Sequence, residues 1–403
     1  MTRLLFTNAA VFDGTGAPLA DGQVLVEGGR ILDVGSDLDG DEVVDCGGRT
    51  LLPGFFDTHV HVTLSHVDLW KLLNEPFSLQ YYEAARNLQA TLAAGITTVR
   101  DAGGADLGIK EAVERGMIAG PRMQISLVML SATGGHGDGW LPSGVDGDLF
   151  VAHPGRPSGM VDGPDEMRRT VRKLFRAGAD VIKVATTGGV LSPRDHPSHA
   201  HLSPEELDVL VAEARAVGKR VMAHAQGTEG IKNAIRAGIR SIEHGIYQDA
   251  EAIEMMLSRG TYLVPTLIAP NGVLEAADAG ADIPEPILEK ARSVIDAHRD
   301  SFRRAVSAGV KIAMGTDSGV TPHGDNLREL ELMAAGGMAP ADVLQSTTRV
   351  AAELMGVDGE RGTIEPGKDA DLVLLDGDPF DFAGYRDRIA AVYQLGNLVS
   401  GGA

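Results

Sequence analysis

Leu51-Leu52-Pro53-Gly54-Phe55-Phe56-Asp57-Thr58-His59-Val60-His61 is an apolar run that ends in two histidines one residue apart. Side chains on a strand alternate between its two faces, so His59 and His61 point the same way. Two same-facing imidazoles at the end of an apolar strand are a costly arrangement unless something binds them. Alone, the pair fits either a metal or two satisfied surface histidines.

Four further polar residues occupy the same kind of position. Lys183 follows Ala179-Asp180-Val181-Ile182, and His224 follows Arg220-Val221-Met222-Ala223. His244 follows Ile239-Arg240-Ser241-Ile242-Glu243, and Asp317 follows Val310-Lys311-Ile312-Ala313-Met314-Gly315-Thr316. Each segment comes after a helix-like stretch that closes on glycine: Ala177-Gly178, Val217-Gly218, Ala237-Gly238 and Ala308-Gly309. Helix, glycine cap, short apolar strand and a polar residue at the strand's carboxyl end is one unit repeated. In a (β/α)8 barrel all such strand ends gather at one face, and that face carries the chemistry. The expected fold is α/β, a TIM barrel whose mouth collects residues far apart in sequence.

The flanks read differently. Residues 1–52 and 361–403 are short strands and turns, with Gly28-Gly29 as a hairpin signal between apolar runs. Neither end is long enough for a core of its own, so both are expected to pair into one β-sandwich beside the barrel. Residues 53–360 are expected to form the barrel domain.

The 403 residues carry a formal charge of −20 and a single cysteine, Cys46. The acidic balance and the lack of a basic cluster argue against a nucleic-acid partner. One cysteine rules out an internal disulfide framework and fits a reducing compartment. No run is long enough to span a membrane, and the apolar stretch near Met1 is too short for a secretory core. A cytoplasmic protein is expected.

The ordered set Pro53-Gly54-Phe55-Phe56-Asp57-Thr58-His59-Val60-His61, Ile182-Lys183, Ala223-His224-Ala225, Ile242-Glu243-His244-Gly245 and Gly315-Thr316-Asp317-Ser318 resembles the amidohydrolase superfamily. The likeness is to its imidazolonepropionase-like and Xaa-Pro dipeptidase-like (prolidase-type) branch. Gly362-Thr363-Ile364-Glu365-Pro366-Gly367-Lys368-Asp369-Ala370-Asp371-Leu372 extends it to the far end of the chain. The resemblance implies two divalent metal ions, zinc first, with manganese and cobalt also suited to N/O ligands. It implies that His59 and His61 hold one ion, His224 and His244 the other, and that Asp317 both ligates and moves the proton.

Lys183 selects between one metal and two. An ammonium has no lone pair and cannot ligate. A buried lysine has a lowered pKa, and its amine can add CO2 to give an anionic carbamate. Relatives with lysine at this strand end use that carbamate to bridge two metals. An unmodified tether, or an ion pair with Asp180 or Glu243, is the alternative. The resemblance further implies a metal-bridging hydroxide as nucleophile, with Asp317 as general base and then acid.

The substrate is less determined. Thr133-Gly134-Gly135-His136-Gly137 resembles a dipeptidase loop whose histidine meets a substrate carbonyl, so His136 takes that role; packing on Trp140 is the plain alternative. Arg194, in the loop that follows Lys183, could take a substrate carboxylate in a bidentate pair or simply bridge to Asp195 or another loop carboxylate. His196, His199 and His201 are expected as surface or oligomer contacts, not ligands. Tyr247 and His323 are further substrate-contact candidates, each with a packing alternative. Several dipeptidase relatives carry tyrosine where this chain has Gln226, so their binding scheme does not transfer directly.

The expected activity is cleavage of the amide to a C-terminal amino acid, in a dipeptide or an N-acyl amino acid. Cyclic-amide, lactone or ester, and organophosphate hydrolysis are alternatives; Lys183 argues against the first. A catalytically silent scaffold would have lost ligands, whereas all six positions are filled. A homo-oligomer is expected, an octamer among the options.

Overall fold

The strands of the computed structural model, which describes residues 2–192 and 194–402, fall into two groups. The first runs β1 (Arg3–Val11), β2 (Ala20–Glu27), β3 (Arg30–Gly35), β4 (Glu42–Asp45) and β5 (Thr50–Pro53). The second begins with β6 (Phe55–Val60) and β7 (Ile96–Asp101). It continues through β8 (Arg122–Ile125), β9 (Met129–Leu130), β10 (Val181–Ala185), β11 (Arg220–Ala225), β12 (Ser241–His244) and β13 (Tyr262–Val264). The chain then returns to the first group with β14 (Leu372–Leu375), β15 (Ile389–Gln394) and β16 (Asn397–Gly401).

Both chain ends share one eight-stranded sheet. Its order is β16-β15-β14-β5-β1-β2-β3, with β4 also on β1. The junction is β5, antiparallel to β14 and parallel to β1. Phe6, Val24, Val26, Ile31, Leu51, Leu372 and Leu374 form its core. Asp369 holds Arg30 of this sheet at 3.0 Å and Arg361 at 3.4 Å, and ties the sheet to the barrel through Arg122 of β8 at 3.4 Å.

Strands β6 to β8 and β9 to β13 form two parallel arcs of the barrel. Residues 310–317 close it on both sides. Leu263 N donates to Lys311 O at 2.9 Å, Thr58 N to Met314 O at 3.0 Å, and Asp317 N to His59 O at 2.7 Å. Glycine is required there: a Cβ at Gly315 would lie 2.9 Å from the Cβ of His59. The helices end as the sequence predicts, with Gly238 and Gly309 as left-handed C-caps at φ 90° and 81°.

Strands buried on both faces read as continuous apolar runs, and every residue of β6, β7 and β10 is buried. Polar residues within them therefore need partners.

Candidate metal centre and substrate cavity

All six predicted ligands meet at the carboxyl ends of the barrel strands. His59 Nε2 lies 3.2 Å from Lys183 Nζ and 3.4 Å from Asp317 Oδ1. His61 Nε2 lies 3.2 Å from the same oxygen. The ring of His244 is 5.1 Å from that of His59 and 4.6 Å from that of His224. Ligand atoms of His59, His244 and Asp317 all lie within 4.8 Å of one another.

Backbone strain aims two of these groups. In register, His224 pairs with Glu243, so both side chains share a face and His244 would fall on the opposite one. His244 instead adopts φ 70°, ending the strand and turning its ring to the same centre. Asp317 has φ 63°, also left-handed. Such a conformation costs on the order of 1–3 kcal/mol in a residue other than glycine, and it concentrates at functional sites.

Each imidazole has one nitrogen engaged by the protein. His59 Nδ1 donates to Glu243 Oε2 at 2.8 Å, and His61 Nδ1 to Gly103 O at 2.8 Å. His224 Nε2 donates to Gly188 O at 3.1 Å, and His244 Nδ1 bonds Thr266 Oγ1 at 2.7 Å. The opposite nitrogen of each ring is left for the shared centre. Anchoring the outer nitrogen is how proteins orient metal-binding histidines.

Electrostatics point the same way. Burial pulls His59, His224 and His244 well below the ordinary histidine range, so they are neutral lone-pair donors. Burial alone would raise Asp317, yet His59, His61 and Lys183 hold its carboxyl below the usual range. Three neutral imidazoles and a carboxylate suit a divalent ion.

Two supporting residues, Arg100 and Asp101, escaped the sequence reading. Arg100 Nη2 binds the buried Glu243 carboxylate at 3.0 and 3.2 Å, its Nη1 reaches Ser241 at 3.1 Å, and its Nε reaches Thr58 O at 2.7 Å. Asp101 accepts from the backbone of Val62, Gly103 and Ala105, shaping the loop that anchors His61. The usable signal was a charged pair, Arg100-Asp101, at the end of a wholly buried strand.

The centre opens into a cavity of about 760 Å³. Leu69, Leu72, Leu73, Pro76 and Phe77 form one apolar wall; Leu141, Leu149, Phe150 and Val151 form another. Phe150 stacks on His61 with ring centroids 5.2 Å apart. His136 lines the cavity and stacks on His224 at 4.1 Å, not on Trp140. Arg194 lines the cavity too, with its guanidinium 5.1 Å above the Trp140 ring. Gln226 is buried in the wall, and its Oε1 has no hydrogen-bond partner among the described residues.

Two expected substrate contacts need correction. His323 does not line the cavity; its Nε2 contacts His61 O at 3.2 Å and Leu64 O at 3.1 Å, behind the loop after β6. Tyr247 does not line it either, and packs with the apolar cluster of Ile246, Val273 and Ile287. Both follow a strand end, but the direction of a loop side chain is set by loop packing that no periodicity encodes.

Comparison with known proteins agrees with this architecture. The amidohydrolase family profile matches residues 50–399. Ochratoxinase of Aspergillus niger is 34% identical over 391 residues, covering 91% of this chain and 80% of that protein. A crystal structure of an Xaa-Pro dipeptidase with bound methionine in the active site superposes with a TM-score of 0.89. It is 35% identical, covering 98% of this chain and 99% of that one. A prolidase complexed with N-methylphosphonate-L-proline is 34% identical, with a TM-score of 0.89 and full coverage of both chains. No helix among the described residues is long and apolar enough to cross a membrane. With this likeness running over nearly its whole length, the chain belongs to the amidohydrolase family and is a hydrolase acting on amide bonds.

Proposed function

We propose that this enzyme uses two divalent ions, most simply zinc, to cleave the amide that joins an acyl group to a C-terminal amino acid. Its substrates on this reading are dipeptides, including Xaa-Pro, and N-acyl amino acids. The observation that carries it is the ring of four anchored imidazoles, Asp317 and buried Lys183 around one point. His59 and His61 would hold one ion, His224 and His244 the other, with a carbamate on Lys183 between them. Such ions supply Lewis-acid polarisation and make water acidic enough to attack near neutral pH.

The chain's own groups do the rest. Asp317 Oδ1 faces His59 and His61, which leaves Oδ2 to take the proton from water and pass it to the leaving nitrogen. His136 receives the scissile carbonyl oxygen, and Arg194 the substrate carboxylate. The size of the cavity and its apolar walls favour a bulky acyl group. Residues 53–360 would carry this activity, residues 1–52 with 361–403 would form a supporting domain, and the chain would work as a homo-oligomer in the cytoplasm.

Elemental analysis of the purified protein, beside a hydrolysis panel of dipeptides and N-acyl amino acids, tests this directly. About two metals per chain with turnover on the panel is expected. One metal per chain, with turnover confined to cyclic amides, would sink it.

Gln226 gives a sharper test of the cavity. A buried polar atom without a partner costs about 1–3 kcal/mol, which a bound substrate N–H can return. Gln226→Leu should therefore raise KM about tenfold while leaving the free enzyme as stable as before, or stabler by about 1 kcal/mol. An unchanged KM would remove Gln226 from the substrate site.

A further inference from the structure

We infer that Asp195 and Lys290 are positioning residues that fix the His136 ring against His224, an inference that rests on the substrate-binding role proposed for His136. The loop spanning 186–201 is closed at its base: Gly188 N donates to His199 O at 3.1 Å, and His201 N to Thr186 O at 2.8 Å. Its tip is held from another element. Lys290, on the helix Glu285–Ala308, donates to Gly189 O at 2.7 Å, to Ser192 O, and to Asp195 O at 3.3 Å. It also pairs with Asp195 Oδ1 at 3.5 Å. One ammonium thus gathers three loop carbonyls and one carboxylate.

Asp195 passes this order to His136. Its Oδ1 binds Ser192 Oγ, and Ser192 Oγ lies 2.8 Å from His136 Nδ1. Its Oδ2 accepts Gly189 N at 3.2 Å and lies 3.6 Å from the same ring nitrogen. Gly189 forms the other face of the slot: a Cβ there would sit 2.5 Å from His136 Nδ1 and 2.7 Å from Nε2. The imidazole is therefore clasped between a backbone and His224, with Nδ1 tied to the loop. Its Nε2 has no hydrogen-bond partner among the described residues and is the nitrogen available to a ligand in the cavity.

A buried ion pair is weak evidence for stability, because apolar residues of the same volume often serve as well. What apolar residues cannot do is fix an imidazole by one nitrogen. A ring held in place before substrate arrives spends no binding energy on being ordered.

The test is a double-mutant cycle on the metal-loaded enzyme, assayed with whichever N-acyl amino acid the panel turns over fastest. Asp195→Asn and Lys290→Met should each lower kcat on the order of tenfold to a hundredfold, the usual loss when the partner orienting a working imidazole is removed. Metal content should stay at the wild-type value, and Lys290→Arg should keep most of the activity. In a His136→Ala background the same Asp195→Asn change should cost nothing further. An equal loss in both backgrounds would make the pair merely structural and overturn the inference. Full activity in His136→Ala would overturn the role of His136 and the relay together. Full activity in Asp195→Asn, with His136→Ala impaired, would overturn the relay alone. A crystal structure gives a readout independent of turnover: an Asp195→Asn ring unmoved from His224 would also overturn it.

Discussion

Lys183→Ala should release at least one metal and lower kcat/KM by about 10³-fold or more, because metal polarisation is worth several kcal/mol and each decade of rate about 1.4. The structure answers the ion-pair alternatives that the sequence left open for this side chain. Asp180 is occupied by Lys110 at 2.7 Å and Lys219 at 3.8 Å. Glu243 is occupied by Arg100 and His59. Among the described residues Lys183 has no carboxylate within ion-pair distance, and it is only 2% exposed. Burial pulls its pKa down to about 8, although the Glu243 and Asp317 charges push back. Near neutral pH a useful fraction of the side chain is then a free amine, able to add CO2.

That chemistry has its own pH dependence. Protonation blocks the addition, so reconstitution of metal-free enzyme with zinc and bicarbonate should speed up as pH rises through about 8 and be slow at pH 6. A labelled carbonate signal on the wild-type protein, absent from Lys183→Ala, would place the carbamate. Partial recovery of Lys183→Ala by acetate would show that a bridging carboxylate is what was lost. Two tightly held metals and normal turnover in Lys183→Ala would end the proposal.

The candidate ligands were legible because the barrel imposes a simple rule. A polar residue at the end of an apolar strand, after a glycine-capped helix, faces the mouth, and Lys183, His224, His244 and Asp317 all obeyed it. Two details were hidden. His244 and Asp317 reach the centre through left-handed backbone, which strand alternation cannot foresee. The third barrel strand is broken between Ile125 and Met129, where Leu127 takes φ 70°. Tyr247 and His323 show the limit of the rule: beyond the strand end, direction comes from loop packing. Arg194 lies over the Trp140 ring and not on Asp195, because the order of residues does not say which neighbour a long side chain lies across. Arg100 and Glu243 were in plain view as charged residues inside buried strands, but they lie 143 residues apart and one sequence does not say which charge meets which.

That pair carries the largest expected effect on stability. Arg100 and Glu243 are both buried, and Glu243 is fully enclosed. Bringing two charges out of water costs several kcal/mol each, recovered only while they remain paired and hydrogen-bonded. Arg100→Met leaves the Glu243 carboxylate with only Ser241 and His59 as side-chain partners among the described residues. Removing one member of a buried pair costs about 3–5 kcal/mol, and denaturant unfolding of metal-free protein should show a loss of that size. Metal affinity should fall as well, by roughly 10- to 100-fold, because Glu243 is the group that orients His59. The two effects separate in the double variant. Arg100→Met with Glu243→Gln removes both charges, so most of the stability should return. The carboxylate on His59 Nδ1 does not return, so metal affinity should stay low. A stable, weakly metallated double variant would show that this salt bridge is kept for the ligand it aims and not for the fold it sits in. Wild-type stability in Arg100→Met alone would mean that the Glu243 charge has another compensation.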